Sequence, residues 1–299
     1  MNEPIYRAGF VALVGSPNVG KSTLVNALVG EKVSIVSRKA QTTRRRILGI
    51  VSRPAYQLIL VDSPGMHEGR GRLLDRALNA SVREAAAQAD VVVCVAEAGN
   101  WRKEDRRALG LAFTMHRPVL LVLNKIDRIR PRERLLPILA ERTSEYPQLV
   151  AVVPTAARRG DNVGHLAEVL ASHLPISPPL FPRDQITDLN LVEQAAETVR
   201  EALIERLGDE LPHATHVSVE RHADLGARLL IEAMIWVERE SQKGIVIGAG
   251  GRMIKAIGTA ARKTLEVERE RAVTLKLRVG LRSGWSRDAR ILSELGLGR

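Results

Sequence analysis

Gly15, Ser16, Pro17, Asn18, Val19, Gly20, Lys21 and Ser22 read G-x-x-x-x-G-K-S, the spacing of a loop that cradles nucleotide phosphates. An apolar run over residues 9–14 precedes it and reads as a buried strand. Residues 23–29, beginning with Thr23, read as a helix. The loop therefore ends at a helix N-terminus, where unpaired N–H groups and the helix dipole favour an anion. Lys21 can reach the β- and γ-phosphates, and the Ser22 hydroxyl can ligate Mg²⁺.

Further motifs follow in the order such a site needs. Asp62, Ser63, Pro64 and Gly65 close the apolar run 58–61. Asp62 at a strand end can hold Mg²⁺, usually through water, and Gly65 lets a backbone N–H approach a γ-phosphate. Asn124, Lys125, Ile126 and Asp127 close a second apolar run, 119–123. This tetrapeptide selects the base. A carboxylate at Asp127 accepts from both the ring N–H and the exocyclic amine of guanine, and adenine has no such donor pair on that edge. Asn124 is expected to tie this loop to the phosphate loop, with the Lys125 stem along the base. Thr155 and Ala156 follow a third apolar run and can place a backbone N–H on the guanine oxygen.

Between the first two motifs, residues 37–44 are basic and hold two threonines. A threonine there can complete the Mg²⁺ shell when GTP is bound, which makes the segment a switch that relaxes after hydrolysis. After Gly65 stands Met66, and a thioether cannot orient an attacking water as a glutamine does. Slow intrinsic hydrolysis is expected, with His67 incidental.

These loops need strands to end on and helices to begin. Candidate strands at 10–14, 47–51, 57–61, 91–96, 119–124 and 150–154 alternate with helical patterns at 73–89, 103–115 and 132–146. That is an α/β domain, a mostly parallel sheet with helices on both faces, whose ligands bind at the carboxyl ends of the strands. A proline-rich stretch, 175–182, then reads as a semi-rigid linker. Beyond it the order is helix (191–207), strand (215–221), strand (228–238), short helix (241–247), glycine turn, helix (253–268) and strand (272–279). The expected division is a nucleotide domain at 1–174, a linker at 175–190 and an α+β domain at 191–299.

The glycine turn is Gly248, Ala249, Gly250 and Gly251, a G-x-x-G joining two helices, with Lys243, Arg252 and Lys255 around it. In KH modules such a loop clamps the backbone of about four nucleotides of single-stranded RNA. The flanking element order matches a type II KH arrangement. Charge agrees: the 299-residue chain carries +11, and residues 252–299 hold 12 Lys/Arg against 5 Asp/Glu. An excess of this kind suits a polyanion, nucleic acid or an anionic membrane surface. The content of 3% aromatic residues argues against a sheet that stacks bases on several rings. The single cysteine, Cys94, lies in an apolar run and reads as a buried thiol, without disulfide or nucleophilic role. No signal peptide and no apolar run of about 18 residues is visible, so a cytoplasmic protein is expected.

The combination closely resembles the bacterial Era GTPase family over nearly the whole chain. The resemblance runs through residues 15–22, the Lys39-Ala40-Gln41-Thr42-Thr43-Arg44 segment, the Asp62 and Asn124 motifs, Glu210-Leu211-Pro212-His213, residues 237–244 and residues 254–258. It implies GTP hydrolysis assisted by Lys21, Thr43 and Gly65, with Thr43 as a Mg²⁺ ligand beside Ser22 and Asp62. It implies K⁺ near the phosphates at Asn18, Ser37, Lys39 (through its carbonyl) and Thr42. It implies binding of the 3′ end of 16S rRNA by the KH module in maturation of the 30S subunit, a monomeric state and peripheral membrane association. Two positions depart from the family: Ser63 stands where threonine is usual, and Ala249 and Gly250 leave the G-x-x-G without an inner lysine. Two other readings exist. One is a membrane-surface signalling GTPase whose basic domain binds anionic lipid. The other is a partner in a tRNA-modifying enzyme, for which no catalytic cysteine or cofactor motif is present.

Overall fold

The computed structural model describes residues 5–37, 39, 42–43, 46–65, 73–208, 211, 214–285, 288 and 290. Six strands form one sheet in the order β2-β3-β1-β4-β5-β6. They are β1 (Arg7–Val14), β2 (Ile47–Ser52), β3 (Tyr56–Asp62), β4 (Val91–Glu97), β5 (Val119–Asn124) and β6 (Ala151–Pro154). All neighbouring pairs are parallel except β2 with β3. Val91–Val95 and Val119–Leu123 are buried without alternation, as strands covered on both faces must be.

Each face has its own helices. Val11 and Leu13 of β1 point to a core with Leu24, Val25 and Leu28 of α1 (Lys21–Val29) and Leu166 and Leu170 of α5 (Val163–Ser172). Ala12 and Val14 point the other way. There they meet α2 (Leu73–Gln88), α3 (Lys103–Phe113) and α4 (Leu135–Glu145) through Val82, Ala86, Ala108, Leu109, Ile138 and Leu139. The central strand therefore alternates between two helix layers, and its carboxyl end, with those of β3, β4 and β5, forms one rim.

The proline-rich stretch is strapped onto this domain. Pro175 O accepts from Ala8 N–H and Tyr6 O from Ser177 N–H, both at 3.2 Å. The Gln57 side chain accepts from Leu180 and Phe181 N–H at 2.7 and 3.0 Å and donates to Phe181 O at 2.9 Å. Farther on, Ile186 O accepts from Ile50 N–H at 2.8 Å. These bonds run along β1 and the β2 edge, which covers an otherwise open strand.

The second domain is a three-stranded sheet, β7-β8-β9, from β7 (Thr215–Asp224), β8 (Arg228–Val237) and β9 (Ala272–Leu281). Helices α6 (Leu191–Arg206), α7 (Glu240–Ile247) and α8 (Arg252–Arg269) pack against it. In β8, Leu229, Ile231, Ala233, Ile235 and Val237 are buried in strict alternation, as expected of a sheet with one covered face. Ile257, Ala261 and Leu265 of α8, four apart, fill the facing stripe.

Candidate functional site

The phosphate loop leaves β1 and enters α1, and its own side chains hold it open. Lys21 is buried and its Nζ donates to Gly15 O and Ser16 O, both at 3.0 Å. Burial pushes the ammonium down to about 8, against the opposing pull of Asp62, Cys94 and Asp105. The loop carbonyls thus hold the cation where incoming phosphate oxygens can replace them. Gly20 has φ 103°, and a Cβ there would meet Asn124 Nδ2 at 2.3 Å. A side chain would push the base loop away from the phosphate loop. Gly65 sits against the phosphate loop: a Cβ on it would be 3.0 Å from Pro17 Cα and 3.2 Å from Lys21 Nζ.

Asp62, Ser22 and Thr43 come together across 40 residues of sequence. Ser22 Oγ and Thr43 Oγ1 are 3.0 Å apart. Both Asp62 carboxylate oxygens are buried without a hydrogen-bond partner at ordinary distance. Burial raises this carboxyl above its ordinary value, opposed by Ser22, Lys21, Ser34 and Thr43 around it. An orphaned buried carboxylate facing two hydroxyls is the donor set of a hard divalent cation, one that keeps several waters. Ser63 is buried and donates to Leu13 O at 2.7 Å, a bond that threonine would also make.

The base loop is tied as its sequence implies. Asn124 Nδ2 donates to Val19 O at 2.9 Å, and its Oδ1 accepts from Ala157 N–H at 3.0 Å and Thr155 Oγ1 at 3.3 Å. Lys125 has φ 62°, and its Nζ bonds Asn18 O at 2.6 Å and Glu97 Oε2 at 2.8 Å. Asp127 follows in a one-turn 3-10 helix, Ile126–Arg128. The Thr155 N–H donates to Leu123 O at 2.9 Å and that of Ala156 to Asp161 O at 3.2 Å. A guanine-oxygen contact at Ala156 therefore has to share or displace an internal bond, while the Thr155 hydroxyl braces Asn124.

In the switch segment, Lys39 N–H donates to Ser37 Oγ at 3.2 Å, and Thr42 Oγ1 donates to Lys39 O at 2.9 Å. Three of the four expected K⁺ ligands therefore share one turn. Asn18, the fourth, has φ 64° and lies under Lys125. Arg38, Ala40, Gln41, Arg44, Met66, His67, Glu210, Pro212 and His213 lie outside the described residues.

Three supports escaped the sequence reading. Asp105 is fully buried and accepts from Ser16 Oγ at 2.5 Å and Arg102 N–H at 2.9 Å. Glu97 gathers Lys125, Arg128 and Arg102. Although burial opposes it, the Lys125 and Arg128 cations hold its carboxyl below the ordinary range. Asn26 of α1 accepts from the N–H groups of Val33 and Ser34 and donates to Ser34 O, at 3.0, 2.9 and 2.8 Å. An aspartate at the third residue of a helix is a readable capping signal for Asp105, but its bond to Ser16 and the partners of the others come from the fold alone.

In the second domain, the G-x-x-G loop divides its glycines by role. Gly248, at φ 73° and ψ 167°, packs so that a Cβ would meet Met253 N at 2.9 Å. Around Gly250 and Gly251 the space is open, and Ala249 and Gly250 are exposed. Gly251 caps α8 without a side chain; the Arg252 N–H is bonded to Ala249 O, and no side chain caps the first-turn N–H groups after it, which suits an outside anion. Arg252 Nε donates to Ala249 O at 3.2 Å, Lys243 pairs with Glu240 at 3.3 Å, and Lys255 is exposed.

Known proteins agree with this geometry. Residues 10–125 match the family model described as 50S ribosome-binding GTPase, and residues 210–286 match that of the KH domain. The chain is 46% identical to GTPase Era of Xanthomonas oryzae pv. oryzae over 97% of each chain. It is 43% identical to GTPase Era of Pseudomonas fluorescens, over 98% of this chain and 97% of the relative. Two solved Era structures superpose, each 37% identical and covering 98% of this chain and 100% of theirs. One, in complex with MgGDPNP and nucleotides 1506–1542 of 16S ribosomal RNA, has a TM-score of 0.94. The other, an Aquifex aeolicus Era variant bound to GDP and aluminium fluoride, has a TM-score of 0.93.

Proposed function

This chain belongs to the Era family of GTPases, and from there we propose that it uses a guanine-nucleotide cycle to time its hold on the 3′ end of 16S rRNA during 30S assembly. The observation that carries the RNA half is the Ala249–Gly251 turn, exposed at Ala249 and Gly250 and open around Gly250 and Gly251, at a helix N-terminus without a side-chain cap. A sugar–phosphate chain can lie against it at backbone distance, with Lys243, Gly248, Arg252 and Lys255 around it. Without an inner lysine, the grip comes from N–H groups and flanking cations, so it should weaken with salt.

For the GTPase half, the residues take these roles. Backbone N–H groups of the 15–22 loop, other than at Pro17, which has none, receive the phosphates, and Lys21 exchanges its carbonyl partners for β- and γ-phosphate oxygens. Asp127 pairs with the guanine edge. Ser22, Thr43 and Asp62 would hold Mg²⁺, which supplies positive charge against the phosphates. Gly65 presents its N–H to the γ-phosphate, so loss of that group releases Thr43 and Gly65 together. The shared turn of Ser37, Lys39 and Thr42 supports a K⁺ near the same phosphates; hydrolysis at equal rates in Na⁺ and K⁺ would remove it. Met66 in place of glutamine supports slow intrinsic turnover. The working form proposed is a cytoplasmic monomer with, at most, peripheral contact with anionic membrane. No helix among the described residues is long and apolar enough to cross a bilayer.

Crosslinking the full chain to cellular RNA with a GTP analogue or GDP bound, then mapping the sites, tests the reading. Enrichment at the 3′ end of 16S rRNA, differing between the two nucleotides, is expected. Uniform crosslinking across RNAs would overturn it.

A further inference from the structure

Among the described residues, one dense run of guanidinium groups follows the base loop: Arg128, which braces Glu97, and Arg130, Arg132 and Arg134, which none of this chemistry uses. All four are exposed, and Glu133 is the only acid between them. The run starts directly after Asp127 and is held in place. Ile126 and Ile129 pack against the core beneath β4 and β5. Residues 126–128 and 132–134 form one-turn 3-10 helices. The turn before α3 lies flush on the loop, since a Cβ on Gly99 would be 2.9 Å from Ile129 Cδ1. Arg102 enters the same corner, because it and Arg128 share the Glu97 carboxylate at 3.7 and 3.0 Å.

Counter-ions are short at this corner. Glu97 already serves Lys125, Arg128 and Arg102. Arg130, Arg132 and Arg134 have no ion pair among the described residues, and Arg130 reaches only Ile129 O, at 3.1 Å. Like charges fixed side by side repel, so an anion from outside would relieve the array. The groups are arginines, whose planar forks bind phosphate in pairs of hydrogen bonds. Residues 126–136 include no aromatic side chain on which an unpaired base could stack. A single exposed leucine, Leu136, is too little apolar surface to enter a bilayer.

We propose that this loop is a second RNA contact, one that takes the phosphodiester backbone of double-helical RNA. It rests on the RNA-binding reading above and extends it to the first domain. A backbone contact positions without reading sequence, and two contacts on one chain reinforce each other through effective concentration.

The test uses full-length protein and a fluorescent blunt RNA duplex of mixed sequence, followed by anisotropy in increasing NaCl. For the variant Arg130→Ala/Arg132→Ala/Arg134→Ala, duplex affinity should fall at least about tenfold, and the slope of log K against log salt by about 2 to 3, near 0.9 per lost phosphate contact. Binding of a fluorescent GDP analogue and of a single-stranded RNA should not change, which shows the variant is folded. Unchanged duplex affinity and slope would overturn the proposal. So would loss of duplex binding in Gly250→Asp alone, or an effect of the triple variant confined to vesicles containing phosphatidylglycerol. Single-stranded RNA binding insensitive to Gly250→Asp would instead count against the KH reading, and the duplex result is separate from it.

Discussion

The proposed base choice rests on Asp127, placed by a strand end and a one-turn helix. Asp127→Asn replaces the acceptor of two guanine donors with an amide, whose NH₂ suits the carbonyl that xanthine carries in place of the amine. Affinity for GDP should fall at least about a hundredfold and that for XDP should rise, read by competition against a fluorescent nucleotide. Equal losses for both would mean Asp127 is structural. Cys94 is fully buried and burial raises its thiol well above the ordinary range. It should resist a disulfide reagent in the native protein and react on denaturation. Much of this scale was legible in sequence, since the phosphate loop, Asp62, Asn124 and Asp127 are short motifs at strand ends. The supports were not. Asp105 meets Ser16 across 89 positions, a contact decided by the packing of α3 on the sheet. Ala156 shows the converse: its N–H was readable as a guanine donor, and only the fold shows it engaged by Asp161.

At the scale of elements, α1 does two jobs. Its N-terminus receives the phosphate loop, and its Asn26 pins residues 33–34 just ahead of the switch segment. Asn26→Ala leaves three backbone groups to find new partners, which should cost about 1–3 kcal/mol in urea unfolding and weaken Mg²⁺-dependent GTP-analogue binding; no change in either would show that the clamp is idle. The glycine loop separates stability from function. Gly248→Ala forces a Cβ against Met253 N in a backbone region that suits only glycine, a cost of about 1–3 kcal/mol. Gly250→Asp meets open space at φ 59°, a conformation that aspartate tolerates, so it should fold and repel RNA. Strand alternation and the helix–strand–strand–helix–helix–strand order were readable from hydrophobic periodicity. The helix α5 was passed over although Val163, Leu166, Ala167, Leu170 and Ala171 have its period. The linker 175–190 reads as a spacer by the prolines of 175–182, and only its bonds to Gln57, Tyr6 and Ile50 reveal a strap.

Across the whole molecule, the switch side of the first domain touches the second. Lys32, just after α1, bridges Glu201 of α6 and Glu268 of α8, the latter at 3.5 Å. Lys39 Nζ donates to Leu207 O at the end of α6. Between them lies a cavity of about 230 Å³ bordered by Ser34, Ile35, Gln194, Thr198 and Arg269. Lys32→Glu would set three carboxylates together, so the domains should separate, seen as a larger radius of gyration in solution scattering. The unfolding free energy of each domain should change by no more than about 1 kcal/mol, since a partly exposed pair contributes little. Scattering identical to wild type would mean that the bridge does not hold the domains. Coupling between the proposed guanine site and the proposed RNA loop would be reciprocal. The most direct measurement titrates a labelled single-stranded RNA of the 16S 3′-end sequence into wild-type and Gly250→Asp protein, each bound to a non-hydrolysable GTP analogue. At least about a tenfold weaker RNA affinity in the variant, with nucleotide affinity unchanged, is the expected result; equal RNA affinity in the two proteins would contradict RNA binding through the glycine loop.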